Sequence, residues 1–252
     1  MRGLTLAIVD TEAHTLANNA IAQCVQRHPF DEVIVYSDRV DFWPQYRTVK
    51  IPVIRDIETY NRIVLEQLPE QLRTDHVLIA QYDGFVVDGK AWRDEFLQVD
   101  YLGAVWPQFT HLRVGNGGFS LRSRKLVEAA ASLAHWRAAG EPEDVFIGRI
   151  ARPALEMRHG CVFADEALAQ AFSTEAAIAQ PASFGFHGVM HLPVVYREAL
   201  PFLVEHLPQR VLSGRLGLLA WGAKQLGAQR EAEFWALVKA RQAKCRGLKF
   251  PL

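Results

Sequence analysis

Cysteine is scarce in these 252 residues: Cys24, Cys161 and Cys245 are odd in number, far apart and free of any Cys-x-x-Cys spacing. That excludes a disulfide framework and a cysteine-based zinc site, and it suits a reducing compartment. Long hydrophobic runs are also missing. The longest apolar stretch near the end, Leu216 to Ala223, is interrupted by Gly217 and Gly222. It falls far short of the ~20 residues that span a bilayer. The chain enters Leu4-Thr5-Leu6-Ala7-Ile8-Val9 with no basic region or cleavage site before it, so no secretion signal is expected and a cytoplasmic location is. Net charge is absent too: 28 Lys and Arg balance 28 Asp and Glu. A nucleic-acid partner gripped by the whole protein would need a positive excess. There is no Gly-x-Gly-x-x-Gly after the first strand and no Gly-x-x-x-x-Gly-Lys-Ser/Thr, which weighs against dinucleotide-binding enzymes and P-loop NTPases.

What is present is an ordinary soluble composition, 50% hydrophobic and 22% charged, long enough for one large α/β domain with an appendage. Continuous apolar runs at Leu4–Val9 and His76–Gln81, with Glu32–Ser37 and Thr48–Val53, read as strands. Leu16–Arg27 and Thr59–Leu68 carry helical spacing, the second closed by Pro69. Shorter strands are expected at Tyr101–Pro107 and Phe119–Leu121, and helices at Arg124–Arg137 (capped by Ser123), from Glu143 toward Ile150, and at Glu166–Phe172. The alternation predicts a mixed, mainly parallel sheet flanked by helices, a Rossmann-like domain over residues 1–198. A helical extension is expected over 199–252. From Glu205 onward there are nine basic and three acidic residues, an excess of +6. Two readings of that excess stay open: a solvated helical face, or peripheral contact with an anionic membrane.

Four motifs carry chemistry. Ligands of parallel sheets bind beyond the carboxyl ends of the strands, where Asp10-Thr11, Ser37-Asp38 and Gln81-Tyr82-Asp83 all fall. A carboxylate there followed by Gly84 suits a Mg²⁺ or Mn²⁺ ion with phosphates close by, although Asp-Gly is equally a favoured turn pair. Asn116-Gly117-Gly118 permits close approach of a ligand, or forms a hairpin turn. Glu143-Asp144 offers a general base, or simply acids stabilising the first turn of a helix behind Pro142. His187, between Gly185 and Gly188, could complete a metal shell, as could His191 less directly, or be an ordinary histidine. Trp43, Trp92 and Trp106 are expected in the core rather than stacked on a ligand. Asp10-Thr11-Glu12 partly matches the Asp-x-Asp opening of haloacid dehalogenase-type phosphatases, but lacks the second Asp.

Taken in order, residues 4 to about 190 resemble a glycosyltransferase of the GT-A fold, and more narrowly a bacterial group of glycosyltransferase-like domains. Glu143-Asp144-Val145-Phe146-Ile147-Gly148 is similar to the acidic signature of inverting β1,3-galactosyl- and N-acetylglucosaminyltransferases. Gly117-Gly118-Phe119-Ser120-Leu121 is similar to that family's glycine-rich strand. The resemblance implies transfer of a sugar from a nucleotide-sugar donor, a UDP-sugar, to a glycan or lipid-linked acceptor. It implies Asp144 as base with Glu143 beside it, and a divalent cation at Asp83 and His187. It implies donor contacts at Asp10, Thr11, Gln81, Tyr82, Asn116, Gly117 and Gly118. One departure stands out: Gln81 replaces the first acid of the usual Asp-x-Asp. The domain would then use a weakly held metal, or replace it with basic residues such as Arg113 or Arg122. A retaining transferase and a non-catalytic nucleotide-sugar-binding protein are the alternatives.

Overall fold

The computed structural model describes residues 3–175 and 183–247. The chain divides into two compact units, Met1–His187 and Gly188–Leu252. The first is built on strands β1 (Leu4–Val9), β2 (Glu32–Ser37), β3 (Arg47–Lys50), β4 (His76–Ala80), β5 (Tyr101–Leu102) and β6 (Ser120–Ser123). They form one sheet in the order β3-β2-β1-β4-β6-β5. The first four strands run parallel, while β6 is antiparallel to both β4 and β5. This is the mixed, mainly parallel sheet that the apolar runs require, because β1 and β4 are covered on both faces.

Helix α1 (His14–Arg27) follows β1. A longer helical rod, α2 (Ile57–Arg62) to α3 (Leu68–Gln71), passes through a π-helical turn at Ile63–Gln67. Pro69 does not close this rod as its position in the sequence suggests. It sits in the first turn of α3, where a missing N–H is tolerated. Ile63, Val64 and Leu68 pack with Ile34, Val77 and Ile79 to make the core on this face. Each such buried side chain contributes about 1.5–3 kcal/mol. A second, aromatic cluster joins Phe96, Phe119, Phe172 and Phe184, with Phe119 stacked on Phe172 at 5.0 Å. Trp43 and Trp106 are buried, and Trp92 packs on His28, Phe96 and Phe184, so these three tryptophans pack into the core.

Helix α4 (Arg124–Ser132) is capped as expected: the Ser123 hydroxyl accepts from the Leu126 N–H at 3.1 Å. Helix α5 (Glu143–Val145) runs into a π-helical turn at Phe146–Ile150, and α6 (Arg152–His159), α7 (Glu166–Phe172), β7 (Ser173–Thr174) and β8 (Gly185–Phe186) complete the unit. The strand expected at Tyr101–Pro107 stays in the sheet only as far as Leu102. Beyond it, Val105 pairs with Val114, and Gly115 donates to Ala104 at 3.0 Å. A side chain at Gly103 would lie 1.8 Å from the Gly115 carbonyl, so this hairpin needs glycine there.

The second unit is helical: α8 (Leu192–Val195), α9 (Leu200–His206), α10 (Gln209–Gly214), α11 (Leu216–Ala223) and α12 (Ala228–Gly247). Among the described residues no helix is long and apolar enough to cross a membrane.

Candidate active site

Strand order reverses at β1. The chain lays β2 and β3 on one side, then returns to lay β4 on the other. The carboxyl ends of β1 and β4 therefore flank a topological switch point, where open sheets bind ligands. Asp10-Thr11 and Gln81–Gly84 sit at these two ends.

At the β4 end the chain folds into a tight turn. Gln81 donates to the Gly84 carbonyl at 2.8 Å and Gly84 donates back at 3.0 Å, leaving Tyr82 and Asp83 as the central residues. The turn reading of Asp83-Gly84 is thus what the chain builds at the carboxyl end of β4. Asp83 is only 7% exposed, and its Oδ1 is buried with no hydrogen-bond partner. A buried carboxylate oxygen without a partner is costly.

Glycines draw three other segments against this turn. A Cβ on Gly118 would lie 2.2 Å from His187 Nε2 and 2.9 Å from Gln81 Oε1. A Cβ on Gly84 would lie 2.9 Å from His187 Cδ2, and one on Gly117 2.1 Å from Glu143 Oε1. Asn116 is held at a positive φ of 71°, and its amide spans the gap: Nδ2 is 2.8 Å from His187 Nδ1, while Oδ1 accepts from the Gly118 N–H at 2.9 Å. Asn116-Gly117 is not the tip of a hairpin. The loop of that hairpin lies earlier, between the Trp106–Arg113 hydrogen bond, and Asn116 follows its second arm.

The two adjacent acids part company. Glu143 is 2% exposed and is gripped by Arg122, itself 1% exposed, through bonds of 2.8 and 3.0 Å. Burial pushes the Glu143 carboxyl up from its ordinary value, and the Arg122 guanidinium opposes that rise. Asp144 is half-buried. Its Oδ2 accepts from the Gly117 N–H at 2.9 Å and its Oδ1 from the Val145 N–H at 2.8 Å. Two backbone donors therefore fix the carboxylate plane and leave each oxygen further acceptor capacity.

His187 is the hub. Gln81 Oε1 lies 3.4 Å from Nε2, and Glu175 Oε1 lies 3.6 Å from Nδ1. Burial works against charge on the ring, but the Glu175 hydrogen bond and the charges of Asp83, Glu175 and Asp144 outweigh it and hold the imidazole above its ordinary value. Gln81 in turn donates to the Tyr60 hydroxyl at 2.9 Å. Sequence reasoning missed Tyr60, Glu175 and Asn61. The last takes the Glu143 N–H at 2.9 Å and donates to the Glu141 carbonyl at 2.9 Å. For Asn61 there was a signal, a polar residue on the buried face of a helix; for Glu175 there was none.

The other expected residues have other surroundings. Asp10 faces the start of α1, where its oxygens accept from Ala13 at 3.0 Å each and from Glu12 at 3.3 Å. Burial raises its carboxyl to about 6, against the pull of those bonds and of His14. Thr11 accepts from the Ile54 N–H at 3.0 Å, and His14 Nε2 lies 2.9 Å from Asp38. Tyr82 is buried. His191 is buried in the second unit, near Trp221. Of the two arginines named as substitutes for a metal, Arg122 is buried and bound to Glu143, and Arg113 pairs at the surface with Glu166 at 2.8 Å.

The metal expectation rests on two residues, Asp83 and His187. Among the described residues no group of three or more His, Cys, Asp or Glu side chains is arranged to hold a metal ion. The ring nitrogens of His187 already face protein partners. Asp83 still fits a cation, through its partnerless Oδ1, in the manner of an ion that takes one or two carboxylates and completes its shell from substrate phosphates.

Residues 44–187 match the family described as Protein of unknown function (DUF5672), and the chain belongs to it. No curated protein sequence matches. Among solved structures, a glycosyltransferase involved in glycosylation of the major capsid of PBCV-1 is 11% identical over 73% of this chain and 92% of its own, with a TM-score of 0.47. Glucosyl-3-phosphoglycerate synthase from Mycobacterium tuberculosis, in complex with Mn²⁺, UDP and glucosyl-3-phosphoglycerate, is 13% identical over 64% and 81%, with a TM-score of 0.38. The bifunctional IspDF from Campylobacter jejuni is 12% identical over 59% of this chain and only 47% of its own, with a TM-score of 0.39.

Proposed function

We propose that this member of the DUF5672 family is a GT-A-type glycosyltransferase that moves a sugar from a nucleotide-sugar donor, a UDP-sugar, to a hydroxyl acceptor with inversion. One observation carries the reading. Four segments far apart in sequence meet beside the switch point, with Asp144 half-accessible and Asp83 holding an oxygen free of partners. The acceptor class we assign is a surface glycan or its lipid-linked precursor, in keeping with the +6 charge after Glu205.

In this reading the acceptor oxygen bonds to the anomeric carbon as the bond from that carbon to the diphosphate oxygen breaks. The electron pair leaves with the nucleoside diphosphate, and the acceptor proton passes to Asp144. The backbone N–H groups of Gly117 and Val145 hold the Asp144 carboxylate, and its role in this reading is that of the base in an inverting glycosidase. Asp83 would hold a divalent cation, which supplies charge neutralisation to the departing diphosphate. His187, its ring nitrogens against Asn116, Glu175 and Gln81, holds these segments together beside Asp83. Arg122 and Glu143 do not touch substrate; they brace the backbone that carries Gly117 and Asp144.

The test is UDP release and product formation across a panel of UDP- and GDP-sugars with hydroxyl acceptors. Asp144→Asn is expected to lower turnover by about 10²–10⁴ while UDP binding by calorimetry is retained. Wild-type turnover in that variant removes Asp144 from the base role. NMR of the product anomer separates inversion from retention.

A second reading is favoured by Gln81 and by the incomplete ligand set: a protein that binds nucleotide-sugars without transfer. Tight UDP-sugar binding with no UDP release under any acceptor would decide for it.

A further inference from the structure

Helix α11 (Leu216–Ala223) has no polar side chain along its length, an odd composition for a surface helix. One side is explained. Leu219, Gly222 and Ala223 are buried, and Gly222 lies so close to the Met190 carbonyl that a Cβ would fall 1.9 Å from it. The other side is not. Leu218 and Trp221, three residues apart and so on one face, are each 37% exposed. Exposed basic residues close the helix at both ends, Arg215 before it and Lys224 after it. Residues 188–252 hold ten Lys and Arg against four Asp and Glu, again +6.

We propose that this face of α11 docks on an anionic lipid surface, with Trp221 and Leu218 entering the headgroup region and Arg215 and Lys224 facing lipid phosphates. Two arguments select lipid over protein. The area is wrong for a protein partner: two side chains partly exposed offer on the order of 150 Å² of apolar surface, given the 150–250 Å² of a whole aromatic residue. A stable dimer buries about 800 Å² on each partner. The chemistry is right for an interface: a tryptophan and an aliphatic residue bounded by cations is the pattern of a segment lying in the headgroup plane. The eight residues of α11 are too short to cross a bilayer, so the contact is peripheral. This inference is independent of the active-site reading.

The experiment is flotation of the full chain with phosphatidylcholine vesicles, and with vesicles in which a third of the lipid is phosphatidylglycerol. Binding should be at least about tenfold tighter to the anionic vesicles and fall with added salt. Leu218→Glu and Trp221→Ser should each weaken it at least about fivefold, as should the double variant Arg215→Gln/Lys224→Gln, whose exposed changes leave the packed side of α11 intact. Circular dichroism checks folding, and donor turnover in solution should not change. Equal binding to neutral and anionic vesicles, or binding insensitive to the double variant, overturns the proposal. So does self-association in sedimentation velocity that Leu218→Glu abolishes without any vesicle binding.

Discussion

The carboxyl ends of β1 and β4 lie side by side in the sheet, and each presents a buried aspartate, yet the two are built for different ends. Asp10 is saturated: three hydrogen bonds tie it to the start of α1, and His14 stands beside it. Asp83 keeps an oxygen without a partner, in a turn crowded by His187 and by glycine backbone. A carboxylate whose bonds are all internal is satisfied by the fold. One that the fold leaves incomplete is the one to which the proposed reading assigns a ligand.

Four changes would break or sharpen this comparison. The largest effect is expected beneath the β4 site. Arg122→Met leaves Glu143 buried and uncompensated and should cost about 3–5 kcal/mol in denaturant unfolding, with much of it recovered in Arg122→Met/Glu143→Leu. If the single variant is as stable as wild type, the pair is not the brace we describe.

Asp10→Asn comes next. The folded carboxyl titrates at about 6 against an ordinary 3.8, so between those values the folded state binds more protons than the unfolded one. Stability should therefore fall as pH rises from about 4 to 6, by roughly 3 kcal/mol at most. Asparagine, which does not titrate, should flatten that part of the pH–stability curve. An unchanged slope would put the proton elsewhere.

Gly118→Ala forces a methyl group onto His187 and Gln81. A displacement of about 1 Å should cut turnover about a hundredfold. A melting temperature lowered with turnover intact would make this glycine purely structural. The smallest stability change belongs to Asp83→Asn: thermal unfolding should stay at or above wild type, because no internal bond is lost, while stabilisation by added UDP with Mn²⁺ disappears. The opposite pattern would make Asp83 the structural aspartate and Asp10 the ligand-facing one.

Legibility in the sequence followed locality. The strands β1, β2 and β4 declared themselves as apolar runs, and Ser123 declared the start of α4. Strand β3 ends at Lys50 rather than Val53, since Pro52 can give no ladder hydrogen bond. The expected strand at Tyr101–Pro107 was half wrong because Gly103 lets the chain leave the sheet and pair with Val114 and Gly115, a contact that no local pattern encodes. The site residues were named from their motifs, but their working partners were not. Gln81 and His187 meet across 106 positions, and Tyr60 and Glu175 have no motif of their own.

The sequence by itself determined which residues are candidates for chemistry and where the buried strands β1, β2 and β4 lie. It did so because burial and turn preference are properties of neighbouring residues. Only the tertiary structure decided that Glu143 is locked to Arg122 while Asp144, one residue on, stays within reach of solvent. It alone decided that Asp83 has an unanswered oxygen where Asp10 has none. Those differences come from what the fold brings against each carboxylate, and a carboxylate's role is set by its surroundings more than by its identity.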